Sequence, residues 1–187
     1  MNSRQDNTEN HSSNKKGVTI WFTGLPSSGK STIAKALGEV LKANGCKVEH
    51  LDGDVIRAHL WKELGFSKED RDENITRAAY LAMLFTRNGI MMITTFISPY
   101  RELRQDARRR IGNFVEVYVK CPVEECMKRD PKGMYKRALA GEIKNFTGVS
   151  DPYEEPLNPE VVIESDRESV RDGLEKIMDK LKELNYM

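Results

Sequence analysis

VTIWFTGLPSSGKST, residues 18–32, passes without a break from an apolar, β-branched run into Gly, Pro and Ser, and then to a lysine where a helical pattern begins. Within it Gly24, Leu25, Pro26, Ser27, Ser28, Gly29, Lys30 and Ser31, followed by Thr32, match G-x-x-x-x-G-K-[ST] in a strand-to-helix context. Glycines at those positions let backbone N–H groups curl around phosphate oxygens, and the helix N-terminus adds the positive end of its dipole. Lys30 is expected on the β- and γ-phosphates of ATP, and Ser31 is expected to offer its hydroxyl to Mg²⁺. With Gly near 7% of residues, the four fixed positions arise by chance in a chain this long roughly once in a hundred, before any context is required. The stretch therefore reads as a nucleotide phosphate cradle, a P-loop.

Outward from it, short apolar runs alternate with helical patterns. VTIWFT (18–23), KVEHLD (47–52), IMMITTF (90–96), FVEVYV (114–119) and EVVIE (160–164) read as five strands. Helices are expected from Lys30 to Asn44, ended by Gly45, and from Val55 to about Lys62. A third, opened by Ser67 and Asp70 at capping-box spacing, runs to about Asn88 before Gly89. Pro99 opens a fourth and Pro122 a fifth. The last, in RESVRDGLEKIMDKLKEL, places Val170, Leu174, Ile177, Met178 and Leu181 on one face. This alternation predicts an α/β fold, a five-stranded parallel sheet with helices on both faces. From Asp130 to Pro159 the periodicity dissolves into Gly, Pro and charge, which points to a functional segment rather than a plain connector.

The 187 residues suit one domain. The opening MNSRQDNTENHSSNKK is polar, has no apolar signal-peptide core, and reads as a disordered tail over 1–16 ahead of a domain at 17–187. No run approaches the roughly 18 apolar residues of a membrane span. The 30 basic and 29 acidic side chains leave a net charge of +1, so no global field attracts nucleic acid. Cys46, Cys121 and Cys126 lack metal-ligand spacing and read as reduced cytoplasmic thiols. The N-x-[ST] matches at Asn10, Asn74 and Asn145 are read as chance.

A P-loop kinase needs a carboxylate for its metal and a site for its acceptor, yet MMITTFISPY contains no acid. LDGD supplies one: Asp52 and Asp54 flank Gly53 at a strand's C-terminal end, where open α/β sheets bind ligands. One can support Mg²⁺ while the other accepts the proton of an attacking hydroxyl, although Asp54 also suits the N-cap of the next helix. Arg57 lies one turn beyond Asp54. Arg71 and Asn74 share a face on the first turn of the third helix, which is expected to protrude, and the arginines suit a small anionic acceptor. Arg101, Arg104 and Arg108, with Arg109 and Arg110 beside them, carry interleaved Glu102 and Asp106 and read as a solvated face.

GLPSSGKST, LDGD, LGFSKEDRDENI, TTFISPYR, KRDPKGMYKRA and IKNFTGVSDPYEEP occur in an order that resembles the adenylylsulfate kinase family from Gly17 onward. The resemblance implies a nucleoside-kinase-like three-layer sandwich that transfers the γ-phosphoryl group of ATP to the 3′-hydroxyl of adenylyl sulfate, in sulfate activation. It implies Asp52 and Asp54 at the metal and reacting hydroxyl, Lys30 and Ser98 in the catalytic set, and Arg57, Phe66, Arg71, Asn74, Ile97 and Ser98 around the acceptor, with Phe66 stacked on its adenine. It also implies a lid over about 129–159, bringing Arg129 and Lys132 to ATP and Lys144 and Phe146 to adenylyl sulfate, and a homodimer. Val55 and Thr76 depart from the Asn and Arg common in the family. A kinase for another small nucleotide or anionic metabolite is the alternative. A nucleotide-switch module is a third reading, but it lacks the guanine-reading N-K-x-D motif.

Overall fold

The computed structural model describes residues 16–187; the expected tail, apart from Lys16, and the match at Asn10 lie outside the described residues. Five strands, β1 (Val18–Thr23), β2 (Val48–Asp52), β3 (Met91–Thr95), β4 (Phe114–Lys120) and β5 (Val161–Glu164), form one parallel sheet in the order β2-β3-β1-β4-β5. β1 occupies the centre, and its period-2 alternation splits its side chains between two cores. Val18, Ile20 and Phe22 pack with Ile33, Leu37 and Leu41 of α1 (Lys30–Ala43) and with Ile177 and Leu181 of α7 (Val170–Glu183). On the other face Trp21 packs with Ile75, Ala78 and Ala82 of α3 (Lys68–Arg87) and with Ala107 and Ile111 of α4 (Arg101–Ile111). The three-layer sandwich is the expected one, with α2 (Gly53–His59) and α5 (Val123–Arg129) at the end where the strands finish.

Helix boundaries follow the capping chemistry. Ser67 and Asp70 form the expected capping box of α3, and Ser169 with Asp172 forms another that starts α7 three residues later than the pattern's first residue. α2 starts at Gly53, two residues before the expected Val55, because Asp52 is its N-cap: the Asp52 carboxylate accepts from the N–H groups of Asp54 and Val55. Asp54 is therefore not the cap. The segment without periodicity contains a short helix, α6 (Met134–Leu139), whose Tyr135 and Ala138 join Cys121, Cys126 and Phe146 in a third, smaller core. All three cysteines are buried.

Two surface expectations are corrected. Arg104 is 2% exposed, not solvated: its Nε donates to Glu116 at 2.8 Å and its two Nη atoms to the carbonyls of Ser98 and Glu154, each at 2.6 Å. Arg108 on the same stripe forks onto the Glu160 carboxylate at 2.7 and 2.8 Å, whereas Arg109 and Arg110 are exposed as expected. Nor does the first turn of α3 protrude. Arg71 and Asn74 are both buried, and the 145–151 segment folds over Arg71.

Candidate active site

β1 ends at the centre of the sheet, flanked by β3 and β4, so the loop after it opens into the crevice at the strands' C-terminal ends. Gly24 takes φ +148° and a Cβ there would lie 2.5 Å from the Val119 carbonyl oxygen, so only glycine lets the loop pass β4. Ser27 (φ 61°) and Gly29 (φ 99°) adopt left-handed conformations, curling the loop before α1 begins at Lys30. The curl is braced from outside: Tyr135 donates to the Pro26 carbonyl at 3.1 Å, and Ser165 donates to the Ser28 carbonyl at 2.7 Å. Arg129 holds Ser165 in turn, through its side chain and its carbonyl.

Lys30 is buried at the loop's centre, where Nζ donates to the carbonyls of Gly24 and Leu25 at 2.9 and 2.7 Å. Burial lowers its pKa from 10.5 to about 8. At the mouth, Ser31 donates to Asp52 Oδ2 at 3.2 Å. Burial pushes the Asp52 carboxyl up, but hydrogen bonds from Thr95, the Asp54 and Val55 N–H groups and Ser31 outweigh it and hold the pKa below the ordinary carboxylate value. Asp52 is therefore an anion at neutral pH. Asp54 is exposed and pairs with Lys132, which reaches it from the segment after α5.

Beyond α2, Phe66 is 52% exposed and one face of its ring lies over the Arg57 guanidinium, 4.9 Å from the centroid. Arg57 is otherwise occupied by the carbonyls of Leu64 and Gly65, at 2.8 and 2.6 Å, so it holds up the Phe66 platform. Arg71 is engaged by the protein's own groups. It donates to Thr147 at 2.5 Å and Asp151 at 2.7 Å, and also to the carbonyls of Asn145 and Phe66, tying the 145–151 segment to α3. Phe146 is buried against Tyr135, while Lys144 is exposed. Asn74 Oδ1 is buried without a hydrogen-bond partner, an acceptor a ligand donor can satisfy.

Ser98 is 1% exposed, with φ 40°. Its hydroxyl accepts from Trp21 Nε1 at 3.1 Å, its carbonyl accepts from Arg104, and the preceding Ile97 carbonyl accepts from Thr23 at 2.8 Å. The turn after β3 is thus clamped from three sides. Trp21, Thr23, Thr95, Thr147 and Asp151 were missed as site residues. All but Trp21 carry only a hydroxyl or one carboxylate, with no distinctive spacing, and their side-chain partners lie 43 to 130 residues away in the chain.

Residues 16–164 match the family model described as adenylylsulphate kinase. An adenylyl-sulfate kinase of Picosynechococcus sp. is 58% identical over 172 residues, covering 92% of this chain and 97% of that one. Among solved structures, the Mycobacterium tuberculosis APS kinase CysC in complex with AMPPNP and APS superposes with a TM-score of 0.85 at 40% identity, covering 89% of this chain and 98% of that one. A hexameric APS kinase from Thiobacillus denitrificans matches with a TM-score of 0.71 at 33% identity, over 93% of this chain and 30% of that one.

Proposed function

The chain belongs to the adenylylsulphate kinase family, and on that premise we propose how its residues divide the work. Its reaction transfers the γ-phosphoryl group of ATP to the 3′-hydroxyl of adenylyl sulfate, giving 3′-phosphoadenylyl sulfate and ADP. The observation that carries the assignment of roles is the Ser31–Asp52 contact at the mouth of the phosphate cradle, with Asp54 two residues on at the start of α2, the helix whose Arg57 lies against the exposed Phe66 ring.

In this reading the backbone N–H groups from Gly24 to Lys30 hold the ATP phosphates, and Ser31 and Thr32 flank them at the start of α1. Ser31 and Asp52 are hard oxygen donors set side by side, which fits Mg²⁺, an ion that takes one or two protein oxygens besides waters and phosphate oxygens. When bound, Mg²⁺ neutralises charge developing on the β- and γ-phosphates. Lys30 leaves the carbonyls of Gly24 and Leu25 and meets the phosphates as an ammonium. Asp54 accepts the 3′-hydroxyl proton as that oxygen bonds to the γ-phosphorus and the bond to ADP breaks. Phe66 stacks on the adenine of adenylyl sulfate, Asn74 accepts from it, and Ile97 and Ser98 line its pocket as positioned backbone. Residues 129–159 act as the lid, with Arg129 and Lys132 on the ATP side and Lys144 and Phe146 on the acceptor side. Arg71 carries both the lid and the acceptor's anionic groups. Assembly as a homodimer and a cytoplasmic setting belong to the same proposal, and light scattering in solution tests the first.

Purified protein with Mg²⁺ and ATP should release ADP and 3′-phosphoadenylyl sulfate in equal amounts when adenylyl sulfate is present. ADP release independent of the acceptor overturns the acceptor assignment.

Lys30 gives a second prediction. Above about pH 8 it is largely neutral in the free protein, and phosphate oxygens favour its charged form. ATP binding should therefore take up protons, approaching one per site near pH 9 and close to none near about pH 6.5. Calorimetry in buffers of differing ionisation enthalpy reads this directly, and absence of uptake at pH 9 would remove Lys30 from the phosphates. For stability the sign is opposite, because folding releases the proton that ATP binding takes up. The unfolded chain binds the extra proton between about pH 8 and 10.5, so the contribution of Lys30 to folding rises with pH through that window.

A further inference from the structure

β3 has no acid to offer the metal, but it does offer a hydroxyl. Thr95 stands in parallel register with Asp52 of β2, so the two side chains share a face of the sheet. Thr95 Oγ1 donates to Asp52 Oδ2 at 2.9 Å. His50, two residues before Asp52, lies on the same face, with Nε2 at 3.1 Å from Thr95 Oγ1.

The proton inventory directs this chain. A threonine hydroxyl carries one hydrogen, and an ionised carboxylate only accepts. The Thr95 hydrogen therefore points at Asp52, and the Thr95 oxygen must accept from a hydrogen on His50 Nε2. The other Asp52 oxygen accepts from the N–H groups of Asp54 and Val55 at 3.0 and 3.4 Å. Both carboxylate oxygens are thus anchored by the protein, and the plane of the group is fixed.

We propose that Thr95, oriented by His50, is a positioning residue for Asp52, holding the carboxylate in the orientation in which it supports Mg²⁺. The proposal rests on the reading of Asp52 as the metal-side carboxylate. Its chemistry is that of a supporting shell: a carboxylate free to rotate about its last torsion meets the ion in the right pose only part of the time, whereas one held by a hydroxyl and two amides does so without reorganisation.

Thr95→Val keeps the branching and volume of the side chain and removes only the hydroxyl, the donor to Asp52 and the acceptor from His50. It should lower kcat about tenfold and cut the Mg²⁺-dependent strengthening of ADP affinity about fivefold, while ADP affinity in EDTA stays within about twofold of native. Thr95→Ser, which restores the hydroxyl, should recover most of both. His50→Leu should shift both quantities the same way by about two- to threefold, and His50→Gln, with an amide N–H, should shift them less. Independently of activity, ¹⁵N NMR of the native protein at pH 8 should show His50 in the Nε2–H tautomer alone. An Nδ1–H tautomer would mean that the Thr95 proton points at His50, and the chain would not exist. A Thr95→Val protein with native kcat and native Mg²⁺ dependence overturns the proposal when Asp52→Asn has lost both. If Asp52→Asn also keeps both, it is the reading of Asp52 that fails, and the positioning role falls with it.

Discussion

Asp54→Asn is expected to lose turnover by about 10²- to 10⁴-fold while holding ATP nearly as tightly as the native chain. The substitution keeps size and shape and removes the capacity to take a proton. Asp54 is exposed at the first turn of α2, and its carboxylate meets Lys132 of the turn after α5. An ion pair between two such exposed groups contributes little to stability, so the fold should not register the change. Asp52, not Asp54, caps α2 and neighbours Ser31, so the metal side of the cradle should stay intact. The separation of kcat from nucleotide affinity is therefore the diagnostic. A general base acts on the transition state and leaves ground-state ATP binding alone, whereas loss of a metal carboxylate weakens Mg²⁺-dependent binding as well. Steady-state kinetics at saturating adenylyl sulfate, paired with ATP titration calorimetry, resolves the two. Native turnover in this variant would take Asp54 out of the chemistry. A fall in ATP affinity equal to the fall in kcat would move it to the metal.

The cradle was legible because its information is local. Gly24, Gly29, Lys30 and Ser31 are fixed by one turn of backbone, and the strand before and helix after them are written in adjacent residues. The sheet was legible in kind for the same reason: five β-branched runs separated by helices leave few alternatives to a parallel arrangement. The partners of single polar residues were not legible. Thr95 meets Asp52 because β2 and β3 are neighbours in register, which no spacing within either strand encodes. Arg71 looked exposed because an arginine on the first turn of a helix usually is, but Thr147 and Asp151, 76 and 80 residues downstream, close over it. The same long reach misled the reading of α4, where interleaved acids suggested local pairing. Arg109 and Arg110 do pair locally with Asp106. Arg104 instead reaches from α4 to Glu116 on β4, an interior strand of the sheet.

Arg104→Met is accordingly expected to be among the most damaging single changes in the chain. Met matches the length of the aliphatic stem, so the loss falls on the guanidinium and its partners. Glu116 is 7% exposed, and removing one member of a buried pair leaves the other charged and poorly solvated, at a cost of about 3–5 kcal/mol. Arg108, 3.5 Å from Glu116 Oε2, offsets part of this, which places the expectation near the lower end of that range. For a domain of this size that corresponds to a fall in melting temperature of about 6–12 °C. The same substitution also frees the carbonyls of Ser98 and Glu154, one in the turn after β3, which the proposed function sets beside the acceptor, and one in the stretch before β5. KM for adenylyl sulfate should therefore rise, while ATP affinity, set at the cradle, stays close to native. A double variant, Arg104→Met with Glu116→Gln, separates the two effects. Neutralising the stranded carboxylate should restore much of the melting temperature, because the charge was the main cost. It should not restore KM, because the Ser98 carbonyl still has no guanidinium to hold it. If stability and KM recovered together in the double variant, the turn would owe its position to the packing of α4 and not to the hydrogen bond from Arg104.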